Sequence, residues 1–266
     1  MWTELEQNRN GGVKIDLKES FYCGDAAGRE ATKLRKKDFS CSDRLFALNV
    51  GVEFLTTEEF FLGQKKDTLK YKMPDFNPQK FAESAKNMDQ LVPRDAKLCS
   101  DETEIVVIVG FPGSGKSHFV TENFVKNAKK PYTVVNRDTL KTWQKCVSAA
   151  KESLEKGISV VVDNTNPDVE SRSRYTSLAK ELKIPCRCFV MNVSYEQALH
   201  NVKYRNILGT DKAHKDVNEM VLRMYKSKFA EPTVSEGFSQ IVKVNLIPKF
   251  SNERKKSVYS MFLVEK

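Results

Sequence analysis

The chain is short of several things, and each shortage narrows what it can be. No run of about 18 apolar residues occurs in its 266 positions, so no membrane-crossing helix is expected. Its six cysteines, Cys23, Cys41, Cys99, Cys146, Cys186 and Cys188, form no Cys-x-x-Cys pair and no Cys/His zinc spacing. Scattered cysteines fit a reducing compartment, and Cys186 and Cys188, alternating along an apolar run, read as core residues. Histidine occurs three times, as His118, His200 and His214. None has an obvious place beside a reacting hydroxyl, so a carboxylate is the expected base. The polar, acid-bearing start MWTELEQNRNGG does not read as a signal peptide, and a cytosolic or nuclear location is expected. Acid is also scarce: 35 Asp and Glu against 44 Lys and Arg give a net charge of +9. That balance favours a polyanionic partner.

What is present is orderly. At this length two units are the ordinary expectation. Two apolar-patterned regions flank residues 74–103, a stretch with three prolines and little periodicity. It reads as a connector with a short helix about Gln79–Lys86, giving divisions at 1–73, 74–103 and 104–266. From Glu104 the run EIVVIVG has the all-apolar look of a buried parallel strand, followed by a glycine loop and a helix over Lys116–Asn127. YTVV is a second strand, and Asp138–Lys156 a helix stopped at Gly157. ISVVVD is a third strand, Asp168–Lys183 a helix after Pro167, and CRCFVMNV a fourth strand. Ser194 and Gln197 form a capping-box pattern for the next helix. FSQIVKVNLI and SVYSMFLVEK are expected to add one or two further strands. Strands alternating with helices in this way predict an α/β fold with a parallel, doubly wound sheet.

GFPGSGKS places Gly110, Phe111, Pro112, Gly113, Ser114, Gly115, Lys116 and Ser117 in the pattern G-x-x-x-x-G-K-[ST], between an apolar strand and a helix. Glycines there let backbone N–H groups wrap around phosphate oxygens, and the following helix adds a favourable dipole. ATP is the expected nucleotide, with Lys116 reaching its β/γ-phosphates and the Ser117 hydroxyl holding Mg²⁺. A cradle alone does not separate a kinase from an ATPase switch or a motor. Asp138, at the end of the second strand, reads either as a helix N-cap or as a general base for an attacking hydroxyl. Asp163 ends the third strand as a Walker-B acid does, or belongs to an Asn/Asp-rich turn; Asn164, Thr165 and Asn166 follow it. Arg205 opens the polar stretch HNVKYRNILGTDKAHKDV, which reads as a lid closing on a phosphoryl group or as a solvated charge run.

GFPGSGKS, VNRDTLKTWQKC, DNTNPDVESRSRY, CRCFVMNVSYEQALHN and EPTVSEGFSQI together resemble the kinase domain of the bifunctional polynucleotide kinase 3′-phosphatases of animal DNA repair. The likeness runs from about Glu104 nearly to the end. It implies that Asp138 is the general base, that Asp163 assists metal and phosphate binding, and that Arg205 is the lid arginine. It implies that Arg137 and Trp143 lie on the nucleic-acid side and Thr165 near the acceptor hydroxyl. Lys145 stands where the family pattern has arginine; a phosphate contact survives there as a point charge, without bidentate geometry. The implied partner is a DNA end, or an RNA end, carrying a 5′-hydroxyl. The implied state is a monomer, and the implied location the nucleus, with cytoplasm and mitochondrion also open.

The first third resembles the last motif of haloacid-dehalogenase-type phosphatases. Gly24-Asp25, followed by Asp38 and Asp43, is an acidic cluster suited to Mg²⁺, with Asp25 and Asp43 the metal-ligand candidates. No DxDGT or DxDxT motif occurs, so no aspartate nucleophile is present and 3′-phosphatase activity is not expected of these residues. A remnant of roughly 70 residues cannot complete a parallel sheet, and poor order or packing on the kinase domain is expected for it. Two other readings stand beside the polynucleotide kinase. One is a P-loop kinase of a small metabolite; the other is a non-catalytic product that binds DNA ends.

Overall fold

The structure, a computed structural model, describes residues 2–33, 35–65, 70–209 and 217–265. The chain divides into two compact units, Met1–Gln79 with Lys256–Lys266, and Lys80–Lys255.

The first unit contains helix α1 (Trp2–Asn8), strand β1 (Phe21–Gly24), helix α2 (Ser42–Val50), strand β2 (Glu53–Thr56) and helix α3 (Thr57–Leu62). β1 and β2 pair in parallel, Phe21 opposite Glu53 and Gly24 opposite Thr56. A capping box starts α3: the Glu59 N–H donates to Thr56 Oγ1 at 3.2 Å, and the Thr56 N–H donates to the Glu59 carboxylate at 2.7 Å. Within the described part of this unit, the end of the chain packs beside α2. Phe262 packs with Cys41, Leu45 and Met73. Asn49 grips the same residue twice, donating to Phe262 O at 3.0 Å and accepting its N–H at 2.7 Å. The tail therefore covers apolar surface of α2 within the same unit. The strand expected at SVYSMFLVEK is instead the end of a helix and an extended tail. Asn252 accepts the Lys255 N–H at 2.9 Å, and the charged run Glu253–Lys256 favours a helix over a strand.

The second unit is a six-stranded sheet. Helix α4 (Pro78–Ser84) leads into it, and its strands are β3 (Leu91–Val92), β4 (Ile105–Val109), β5 (Thr133–Val135), β6 (Val160–Val162), β7 (Cys186–Asn192) and β8 (Gln240–Asn245). They lie in the order β3-β8-β7-β4-β6-β5. Five strands are parallel, and only β3 runs against its neighbour β8. The doubly wound sheet expected from the alternation is thus present. The edge strand β3 was not foreseen, because two residues are too few to show a period. Asn245 secures it, donating its side chain to Asp89 O and its backbone to Gln90 O at 2.8 and 2.9 Å. β4 is central, and all five of its residues are fully buried. Burial of each such Val or Ile is worth about 1.5–3 kcal/mol.

Helices α5 (Lys116–Val120), α6 (Arg137–Leu140), α7 (Trp143–Glu155), α8 (Val169–Leu182), α9 (Tyr195–Leu208) and α10 (Glu219–Lys228) connect the strands, and α11 (Glu253–Tyr259) ends the chain's regular structure. α5 runs on through a π-type turn at Thr121–Lys126. The single helix expected over Asp138–Lys156 is two. Lys141 turns left-handed at φ 72°, and Thr142 takes extended backbone and caps α7 through the Lys145 N–H. Trp143 becomes the first residue of the new helix.

Two buried ion pairs bracket the sheet. Below the first residue of β4, Glu104 takes Arg187 in a fork at 2.6 and 2.7 Å and also accepts from Tyr132 Oη. Nearer the other strand ends, fully buried Arg172 forks onto Glu236 at 2.7 and 2.8 Å. Removing one partner leaves a buried charge uncompensated. Glu104→Gln should therefore lower unfolding free energy by about 3–5 kcal/mol in urea titration. A change below about 1 kcal/mol would show that Arg187 finds another partner.

Candidate active site

Gly110–Ser117 joins the end of β4 to the start of α5. Gly113 and Gly115 sit at φ 81° and 87°, backbone that a side chain would strain. At Gly113 a Cβ would also stand 2.7 Å from Val202 Cγ2 and 2.9 Å from Ala198 O. α9 therefore lies directly behind the loop, and Asn201 donates to Gly113 O at 2.9 Å. Phe111 points the other way, its ring 4.4 Å from that of Tyr225 on α10. Lys116 is 9% exposed. Its ammonium donates to Gly110 O at 3.1 Å and Phe111 O at 2.7 Å, so the loop's own carbonyls hold it.

The neighbouring strand ends converge on this loop. Asp163 follows β6, is 5% exposed, and donates its N–H to Val135 O at 3.0 Å. One carboxylate oxygen, Oδ2, accepts from Asn136 at 3.3 Å. The other, Oδ1, is buried and has no hydrogen-bond partner among the described residues. Asp138 is the second residue of α6. The cap of that helix is Asn136, whose Oδ1 accepts the Asp138 N–H at 2.6 Å. The cap reading of the Asp138 carboxylate therefore falls away, since another residue does that work. The loop after Asp163 is fixed from three sides. Asn164 Oδ1 accepts the Arg137 N–H at 2.9 Å, Asn166 donates to Ile108 O at 2.8 Å, and Thr165 O accepts the Gly110 N–H at 3.2 Å. Arg172 donates to Asn166 O and Pro167 O from beneath.

All of this surrounds a cavity of about 630 Å³ lined by Lys116, Ser117, Asp138, Asp163, Thr165 and Arg205, among others. Burial pushes the Lys116 ammonium down to about 8; Asp163 and Asp138 pull against that shift and Arg205 adds to it. Four charges far apart in sequence thus act on one another. Arg205 sits in the last turn of α9 rather than in a loop. Residues 210–216 of the expected lid, with His214, lie outside the described residues.

The remaining site candidates divide. Arg137, Trp143 and Thr165 line the cavity. Lys145, two residues after Trp143 on α7, is exposed and does not line it. Residues that the sequence left without a role line it too, among them His118, Asn136 and Arg174, whose guanidinium stands 4.6 Å over the Trp143 ring. The i, i+4 spacing of Glu170 and Arg174, paired at 2.9 Å, was the one available hint of a fixed arginine. In the first unit Asp43 accepts the Ala26 N–H at 2.9 Å, Asp25 is exposed, and Asp38 is tied to Arg29 and Arg35. Burial works against the Asp38 charge, yet those arginines hold its carboxyl below the usual range. Among the described residues no three His, Cys, Asp or Glu side chains gather as a metal cage.

Sequence comparison meets this geometry. The family profile described as polynucleotide kinase 3 phosphatase matches residues 1–61, and one described as AAA domain matches residues 105–232. A putative bifunctional polynucleotide phosphatase/kinase of Acanthamoeba polyphaga mimivirus is 38% identical over 91% of this chain and 60% of its own length. The bifunctional polynucleotide phosphatase/kinase of Schizosaccharomyces pombe is 39% identical over 92% of this chain and 55% of its own. The chain is a relative of the bifunctional polynucleotide phosphatase/kinases. It spans little more than half the length of these two. A solved fungal RNA kinase aligns with 59% of this chain and 83% of its own at 16% identity and a TM-score of 0.43.

The P-loop kinase fold of the second unit is a nucleotide-binding one, and its residues suit a metal–nucleotide. The unpartnered Asp163 Oδ1 and the exposed Ser117 hydroxyl line the same cavity, an oxygen-only donor set that a hard cation such as Mg²⁺ favours. Phosphate beside Lys116 favours its charged form, so the bound state holds more protons above the free-state value of about 8. ATP binding at about pH 9 should therefore take up a proton, read from titration calorimetry in two buffers of different ionisation enthalpy. Lys116→Met should abolish the buffer dependence; equal uptake in both proteins would place the titrating group elsewhere.

Proposed function

We propose that this chain is a polynucleotide 5′-hydroxyl kinase, moving the γ-phosphoryl of ATP to the 5′-hydroxyl of a DNA or RNA end. The observation that carries the reading is the convergence of Lys116, Asp138, Asp163 and Arg205 on one cavity at the mouth of the glycine loop. In the proposed reaction a bond forms between the acceptor 5′-oxygen and the γ-phosphorus while the bond from that phosphorus to ADP breaks. Asp138 takes the hydroxyl proton. Lys116 leaves its carbonyl partners for the β/γ-phosphates, and Arg205 stabilises the equatorial oxygens of the transferring group. Ser117 and Asp163, the latter directly or through water, would hold Mg²⁺, which would supply charge neutralisation for the phosphates.

A polymeric acceptor is favoured over a small metabolite by the cavity's rim. Trp143 is 38% exposed there beside Arg174, with Arg137 and Lys141 also in the lining. Aromatic faces accept bases, and cations accept backbone phosphates. The net charge of +9 and the names of the relatives point the same way. The domain reading that goes with this proposal is a phosphatase-type segment at 1–73, a connector at 74–103 and a kinase domain at 104–266. No 3′-phosphatase activity is proposed for these 266 residues, because no DxDGT nucleophile occurs in them. Strand-break repair in the nucleus is the setting suggested by the family resemblance.

The test is label transfer from γ-labelled ATP with Mg²⁺ to an oligonucleotide bearing a 5′-hydroxyl. Transfer is expected, weakening steeply with added salt. Asp138→Ala should cut kcat by about 10²–10⁴-fold with ATP binding retained. A folded chain that transfers no label sinks the kinase reading. Phosphate release from a 3′-phosphorylated end by this chain would overturn the reading of its first third.

A further inference from the structure

Asn136 follows the last residue of β5, and its residue type alone signals no more than a turn or a cap. Its side chain is used at both ends. Oδ1 accepts the Asp138 N–H at 2.6 Å. Nδ2 donates to Asp163 O at 2.9 Å and to Asp163 Oδ2 at 3.3 Å. One amide therefore joins the backbone of the helix that carries the proposed base to the carboxylate on the metal side of the cavity.

The two bonds make different demands on the residue. Capping α6 needs only an acceptor on extended backbone, here φ −144° and ψ 134°, and Asn, Asp and Ser do this almost equally well. Reaching the Asp163 carboxylate needs a donor at the length of an asparagine. Aspartate would set an acceptor against an acceptor of like charge. Serine would be too short. The backbone bonds nearby, Asp163 N–H to Val135 O and Arg137 N–H to Asn164 Oδ1, hold main chain to main chain or loop to loop. They do not touch the Asp163 carboxylate.

We infer that Asn136 is a positioning residue that holds Asp138 and the Asp163 carboxylate in fixed register for phosphoryl transfer. This rests on the kinase reading above. Reacting groups displaced by about 1 Å lose about 10²-fold in rate, while the cradle that binds the triphosphate does not include Asn136. Loss of the tether therefore falls on kcat and spares the KM for ATP.

The experiment compares wild type, Asn136→Ser and Asn136→Asp in the oligonucleotide label-transfer assay, with Tm and fluorescent ATP-analogue binding measured on each. Both variants keep a cap residue, so KM for ATP is expected within about twofold of wild type, and Asn136→Ser, which adds no charge beside Asp163, is expected to keep its Tm within about 2 °C. kcat is expected to fall about 10-fold or more in Asn136→Ser and further in Asn136→Asp. Equal kcat in all three proteins would reduce Asn136 to a helix cap and overturn the inference. A loss of kcat that tracks loss of Tm would overturn it as well. Should Asn136→Asp not fold, the comparison of Asn136→Ser with wild type decides the matter alone. A wild-type chain that transfers no label sinks the kinase reading and this inference with it; an active wild type matched by its variants sinks this inference alone.

Discussion

Lys116 is a cation held almost out of water, and much of the second unit can be read as the means of keeping it there. A buried ammonium must find oxygen. Gly110 and Phe111 present their carbonyls to it, which they can do because the loop's glycines let the backbone fold over its own helix start. Asp138 and Asp163 supply negative charge from the ends of β5 and β6, on the same side of β4. A triphosphate would offer the same ammonium stronger oxygen ligands than two carbonyls do. The free site is therefore already organised around a positive charge, and the phosphates replace protein oxygens rather than creating an order that was missing.

That organisation needs a stiff support. β4 gives up all solvent on both faces, with β6 and β7 in register on either side. The two buried forks, Glu104 with Arg187 and Arg172 with Glu236, add less to net stability than their geometry suggests, because both charges lost their water. Their contribution is placement. Arg172 spends its remaining donors on Asn166 O and Pro167 O, so the turn at Glu236 is tied to the loop that follows Asp163. A C-terminal element thereby supports the loop after Asp163 through Arg172, 64 residues from Glu236 in the chain.

The parts of this arrangement that follow local rules were legible in the sequence. All-apolar β4, β6 and β7 announced buried parallel strands, and the glycine-lysine-serine spacing announced the cradle. Asp138 and Asp163 were legible because strand ends in such sheets face the ligand. What escaped was decided by tertiary partners. The break at Lys141–Thr142 interrupts a run that reads as continuous helix. The edge strand β3 exists because Asn245 holds it, and the tail at Phe262 turns away from the strand its apolar residues suggest because Asn49 grips its backbone. Asn136 and Arg174 escaped for a further reason. A polar residue beside a motif carries no sign of whether it faces water or a partner from another loop.

The break in the helix bears on how the two sides of the cavity differ. A continuous helix from Asp138 would turn Trp143 about the same axis as the Asp138 carboxylate and move the two together. With Lys141 left-handed and Thr142 extended, α6 is a single turn locked to the Asp163 loop, while α7 starts afresh with Trp143 at its head. The chemistry side is held by main-chain and amide bonds among three strand ends. The rim side is held by a ring under a guanidinium, with Glu170 keeping that guanidinium in place. A cation–π contact at an exposed site is worth about 0.5–1 kcal/mol, so in the proposed function a base stacking on Trp143 would displace it at small cost. The proposed acceptor would then meet a surface that yields, while the groups proposed to react stand on one that does not.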